Sequence, residues 1–201
     1  MNFWEWLLVG VVLWTGIGVL GVLLALVRGE LERMRRGVRW LLGVWVVYLA
    51  VVVGVSLVQK QRVLVKGAAR CFDEMCFTVT GVEEVPGYFG RNKAGDGTVL
   101  LRVSVRVMNE GKKAQSERLL GAYLVDAQGR RWEEAKGLTG VRLVTTVAGG
   151  ATVESEPVFQ VAADAKGVEL VLTHGRWQPG VLVVGDSDSL FHKRTVVGLG
   201  R

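Results

Sequence analysis

Two uncharged apolar runs near the N terminus are followed by about 130 residues in which apolar and polar side chains alternate between short, glycine-bearing turns. Together these features predict an all-β sandwich of seven to eight strands preceded by two transmembrane α-helices.

The first run, Trp6 to Val27, holds twenty-two residues without a charge. As a helix it is about 33 Å long, close to the roughly 30 Å hydrocarbon core of a bilayer. Within it Gly16, Gly18 and Gly21 have the G-x-G-x-x-G spacing of a dinucleotide-binding turn. That chemistry needs a strand entering a glycine turn and a helix whose first N–H groups face a pyrophosphate. An unbroken apolar run supplies neither. In lipid a glycine is either simply tolerated or lets a neighbouring helix approach closely, and Gly21 with Ala25 forms a small-xxx-small pair. The leading residues lack a basic segment and no A-x-A-like site ends the run, so it is expected to stay in the mature chain.

The second run, Trp40 to Val58, adds nineteen uncharged residues and completes a membrane hairpin. Ala50 and Gly54 offer it a small face for packing on the first helix or on another copy of the chain. Trp4, Trp6 and Trp40 stand where aromatic rings favour the headgroup level. Neither run contains an ionisable residue, which argues against a proton relay or ion pathway. The expected organisation is a hairpin over residues 1–59 with spans at about 6–27 and 40–58 and a basic loop at 28–39. A basic juxtamembrane linker, 60–70, then leads to a sandwich domain, 71–201.

The net charge of +6 is unevenly placed. The loop 28–39 holds five Arg against two Glu, and residues 60–70 hold four basic residues and no acid. From residue 71 onward, sixteen basic residues balance sixteen acidic ones. The excess is therefore juxtamembrane, suited to lipid headgroups, and a nucleic-acid footprint on the domain is not expected. Five basic residues before the second helix and four after it leave the positive-inside rule nearly tied. Cys71 and Cys76 are the two cysteines. Four intervening residues allow a chain reversal into disulfide range, although a straight strand would put the two on opposite faces. A disulfide needs an oxidising compartment and favours an extracytoplasmic domain in the cell envelope; two buried free thiols in a reducing compartment are the alternative.

Strands are expected at "CFTVTGVEEV", "LLRVSVRVMN", "LLGAYLVD", "RRWEE", "VRLVTTV", "PVFQVA", "VELVLTH" and "RTVVGL". In the second of these, Leu101, Val103, Val105 and Val107 alternate with Arg102, Ser104, Arg106 and Met108, the pattern of a strand with one wet face. Asn109 and Gly111 are expected to turn the chain through left-handed conformations, and Gly129 to turn a hairpin between "LVD" and "RRW". Short strands at this spacing, without a convincing soluble helix, suit an immunoglobulin-like sandwich.

The alternating strand ending in "NEG", the "LVDAQGRRW" hairpin and "AGGATVESEPVFQVA" with its central Phe159 resemble the immunoglobulin-like, telokin-like extracytoplasmic domains of unknown function on bacterial envelope proteins. The resemblance covers roughly Met75 to Leu199. It implies binding, assembly or adaptor roles, and this chain departs from the commoner arrangement by carrying two spans instead of one anchor.

Chemistry is sparsely signalled. "GDSDS" lacks the second glycine of a nucleophile elbow, because Ser189 stands there. Asp186, Asp188 and His192 offer oxygen and nitrogen ligands from one loop, but aspartate and serine are also ordinary turn residues, and that reading is preferred. His174 is expected at a strand end, Trp132 and Trp177 in the core or an interface. Glu83 with Glu84, and Glu133 with Glu134, are adjacent and point to opposite faces of a strand, so neither pair forms a catalytic dyad. The expectation is a non-enzymatic, cofactor-free interaction or adaptor module. Its partners would be the lipid bilayer and another envelope or membrane protein, and the helices offer a route to a homo-oligomer. The alternative is a ligand- or ion-binding sensor signalling through the hairpin.

Overall fold

The computed structural model describes residues 3–88, 92–93, 97–117, 120–135, 141–173 and 179–200. The chain divides into two compact units, Met1–Gln61 with Arg176–Lys193, and Arg62–Gly175 with Arg194–Arg201. This moves the expected boundaries. The linker assigned to residues 60–70 contributes strands to the sheets, and the described residues 179–193 belong with the helices, against which Val184 and Leu190 pack.

In the first unit, α1 (Phe3–Val27) and α2 (Leu31–Val58) are joined by a tight turn in which Gly29 adopts a φ of 72°. Both helices are long and apolar enough to cross a membrane. Their less exposed residues recur three or four apart, at Val11, Thr15, Gly18, Val22 and Ala25 on α1 and at Gly37, Leu41, Trp45, Tyr48 and Val52 on α2. This is the spacing of a coiled-coil seam. A Cβ on Gly18 would lie 2.6 Å from Leu41 Cδ2, and one on Gly37 would lie 2.8 Å from Val22 Cγ2. The glycines that admit the opposite helix are thus Gly18 and Gly37. Of the four small residues expected to pack, only Ala25 lies in the seam. Gly21 and Gly54 have open space where a Cβ would stand, and Ala50 is exposed, since all three fall off the heptad stripe.

The second unit is built from β1 (Val63–Leu64), β2 (Ala69–Phe72), β3 (Met75–Val85), β4 (Gly87–Tyr88), β5 (Asn92–Lys93), β6 (Thr98–Asn109), β7 (Gly121–Val125), β8 (Arg131–Glu133), β9 (Thr152–Ser155), β10 (Val158–Ala162), β11 (Glu169–Thr173) and β12 (Val196–Gly198). One sheet runs β1-β12-β11-β7-β8; the other runs β10-β6-β3-β2, with β9 also on β6, and β4 pairs with β5. The described strands outnumber the seven or eight expected. Three of them, β1, β4 and β5, are two residues long and too short to carry a period, and β9 and β10 follow one edge of β6 around Pro157, whose carbonyl accepts the Val103 N–H. The expected strand "VRLVTTV" is not formed. Those residues turn, pairing only at Val147 with Gln115, yet Leu143 and Val147 still reach the core. Their alternation served burial without a ladder.

The two large sheets meet through one apolar cluster in which Phe77, Val79, Val103, Val105 and Phe159 of one pack with Leu124, Leu170 and Leu172 of the other. Each of these side chains is essentially inaccessible, so truncating one to alanine would cost about 2–5 kcal/mol. Two devices shape this layer. A bulge between Val79 and Gly81 shifts the register of β3 on β6. At the end of β6, Asn109 takes no left-handed turn; instead its side chain donates to the Lys113 and Val147 carbonyls and accepts the Gly111 N–H.

Candidate functional site

The cysteines meet because β2 and β3 form a hairpin. Asp73 turns the chain with a φ of 50°, and the register pairs Cys71 with Cys76 directly across the strands. Their Cα atoms are 3.9 Å apart and their sulfurs are within bonding distance. The opposite-face argument applies to one straight strand, and the reversal removes it. Phe72 and Phe77 fill the core side of this hairpin with ring centroids 5.9 Å apart, while Cys71 is exposed.

The hairpin "LVDAQGRRW" forms as expected, with Gly129 at a φ of 79°. Asp126 organises it. Its carboxylate, buried, accepts the N–H groups of Gln128 and Arg130 and pairs with the Arg130 guanidinium at 2.8 Å; Arg130 also reaches Asp164 at 3.0 Å. Burial raises the Asp126 pKa, but the Arg130 side-chain and backbone hydrogen bonds, its charge and the Gln128 N–H outweigh it and hold the carboxyl below its ordinary 3.8. The Asp126 hydrogen bond, in turn, raises the pKa of Arg130. Trp132 packs on the core with the Arg130 guanidinium 5.4 Å from its ring centre. Glu83 pairs across the strands with Arg102, and Glu133 with Arg131. These carboxylates serve ion pairs on the sheet surfaces.

Residues 179–193 carry Asp186, Asp188 and His192. A 3-10 turn, Pro179–Leu182, opens the segment, and Asp186 Oδ1 accepts the Asp188 N–H at 2.7 Å, closing a tight turn. His192 is buried, with no partner on either ring nitrogen. Among the described residues no group of three His, Cys, Asp or Glu side chains is placed to hold a metal ion. His174 and Trp177 lie outside the described residues.

What the sequence reading missed is how this segment meets the hairpin. The Tyr48 hydroxyl donates to the Leu182 carbonyl at 2.7 Å, the Ser56 and Ser189 hydroxyls are 3.0 Å apart, and the Gln59 amide reaches the Gly185 carbonyl at 3.4 Å. Val184 packs with Tyr48 and Val52, and Leu190 joins them. Between the helices themselves, Trp45 Nε1 donates to Thr15 Oγ1 at 3.0 Å, and Thr15 in turn donates to the Val11 carbonyl. A hydroxyl in an apolar run was the available signal: Thr15, Tyr48 and Ser56 each needed a partner where water is excluded.

No protein-family model and no curated protein matches the chain. Solved structures do. An uncharacterized β-sandwich protein of Clostridium difficile is 13% identical over 70% of this chain and 95% of its own, with a TM-score of 0.46. The secreted protein MPT63 of Mycobacterium tuberculosis is 8% identical over 69% of this chain and 98% of its own, with a TM-score of 0.45. The yjhA protein of Bacillus subtilis is 19% identical over 68% and 98%, with a TM-score of 0.42.

Proposed function

We propose that this chain is a membrane-anchored protein whose sandwich, immunoglobulin-like in arrangement, lies outside the cytoplasm and acts as a non-enzymatic interaction or envelope-adaptor module. The observation that carries the reading is the surface of the helix pair. Ile17, Leu20, Trp40 and Val46 are each more than 60% exposed, and similar side chains clothe both helices along their length. Water would not tolerate an apolar surface of that extent, whereas lipid covers it without cost. The cysteine pair supports an oxidising compartment for the sandwich. Confinement to a membrane raises the effective concentration of the domain towards other membrane proteins, and the outer strand β2 offers an edge for such contacts.

The test is labelling of Cys71 and Cys76 in intact cells with a membrane-impermeant maleimide, with and without prior reduction, and with lysed cells as control. Labelling of intact cells only after reduction is the expected result. Labelling without reduction and only after lysis would place the sandwich in the cytoplasm and overturn the reading.

A further inference from the structure

Tyr48 lies eight residues inside the uncharged run that begins at Trp40, or about 12 Å along the helix, near the middle of a hydrocarbon core roughly 30 Å thick. Residues 182–190 contact α2 from Tyr48 to Gln59. Leu7, Leu8 and Val11 of α1 pack into the same cluster as Tyr48, Val52 and Val184, so this half of the hairpin and the segment share one level. At that level the hairpin is not enclosed. Phe3, Trp6, Val12, Leu13, Val51 and Leu57 are exposed there, and they need lipid. The segment beside them is therefore at bilayer depth as well.

Its backbone suits that place. Among the described amides, Val183 donates to Gly180, Asp186 to Val183, Ser189 to Asp186, Leu190 to Val181 and His192 to Ser189, while Tyr48 and Gln59 serve the Leu182 and Gly185 carbonyls. Irregular backbone is tolerated in hydrocarbon where its polar groups are satisfied against protein, as these five amides and two carbonyls are. Phe191 adopts a φ of 63° with its ring 67% exposed. A bulky residue rarely occupies that conformation, and here it directs the ring outward.

We propose that residues 179–193 form a third membrane-embedded element, a non-helical wedge that enters one leaflet beside α2, reaches Tyr48 with its tip and presents Phe191 to the acyl chains of bilayer lipids. The inference rests on the reading that α1 and α2 cross the bilayer.

The experiment uses the unmodified full chain in vesicles of phosphatidylcholine and phosphatidylglycerol that carry a phosphatidylcholine with a diazirine midway along one acyl chain. After illumination, lipid adducts are mapped by mass spectrometry. Adducts at Phe191 in yield comparable to those at Val12 and Leu13 of α1 are expected. Adducts on α1 and α2 with none on residues 179–193 would overturn the wedge and leave the anchor standing. Adducts on neither helix would overturn the membrane reading itself, and the wedge with it.

Discussion

Asn109 is fully buried where β6 ends, and three hydrogen bonds converge on its amide. Asn109→Ala leaves the Lys113 carbonyl and the Gly111 N–H without this partner, while the Val147 carbonyl keeps the Gln115 N–H. A loss of about 2–3 kcal/mol is expected in chemical denaturation, since each orphaned group costs roughly 1–3 kcal/mol. A loss below about 0.5 kcal/mol would show that water or neighbouring backbone replaces the amide. Asp126 acts through charge. Because its folded pKa is lowered, the stability it contributes is present above the ordinary 3.8 and is lost as pH falls through the folded value. Arg130 is raised, so its contribution is present below its unfolded value and fades only in strong alkali. Asp126→Asn should therefore lower Tm at neutral pH and narrow the gap to the wild-type chain as pH drops below about 4. A gap that stays constant through this range would remove the carboxylate from the acid response. The "NEG" turn was legible as a turn, but the role of Asn109 was not, because its partners at Lys113 and Val147 come together only through the fold.

At the scale of elements, the two helices were legible in outline because composition and length suffice to recognise a long apolar helix. However, α2 begins at Leu31, so the loop expected at 28–39 shrinks to a turn and its basic residues from Arg33 onward continue the helix. The packing glycines were not legible. G-x-G-x-x-G and small-xxx-small patterns occur on several faces of α1, and the heptad seam chooses Gly18 over Gly21 only once the partner helix is in place. Gly18→Leu or Gly37→Leu should weaken the hairpin by about 1–3 kcal/mol in detergent unfolding, as overpacking does. Gly21→Leu and Gly54→Leu, with open space around them, should leave a single chain unchanged. Equal losses in all four variants would mean that the outward glycines pack against another copy. Among the strands, β6 was legible from its alternation over Leu101 to Met108, and β3 and β10 as β-forming runs bounded by turn residues. "VRLVTTV" was expected as a strand, but it turns, with Thr145 donating to the Arg142 carbonyl and only Val147 bridged to Gln115.

For the whole molecule, the division into units is not the division of the sequence into an apolar half and a β half. Residues 179–193 follow β11 in sequence but bury Val184 and Ser189 against α2. A fragment of residues 62–201 is accordingly expected to lose hydrogen-exchange protection at Val183, Ser189, Leu190 and His192 while β3, β6 and β11 keep theirs. Protection of those four amides equal to that in the full chain would show that the segment holds its turns without the helices. The same consideration identifies the full chain as the molecule for any binding experiment, because the fragment exposes a face that α2 covers.

The sequence by itself determined the pair of long apolar helices, the β character of the remainder, the concentration of the charge excess in residues 28–39 and 60–70, and the hairpin at Asp126 to Arg130. All of these follow from composition, from a period of two or from residues within five positions of one another. Tertiary structure alone decided which glycines lie in the helix seam, where Asn109 and Thr15 find partners, and that the segment carrying Asp186, Asp188 and His192 belongs to the helices. Each of these is a contact between residues brought together by chain reversal or by long-range pairing, and the free energy of burying a polar or apolar group there has no counterpart in any local pattern.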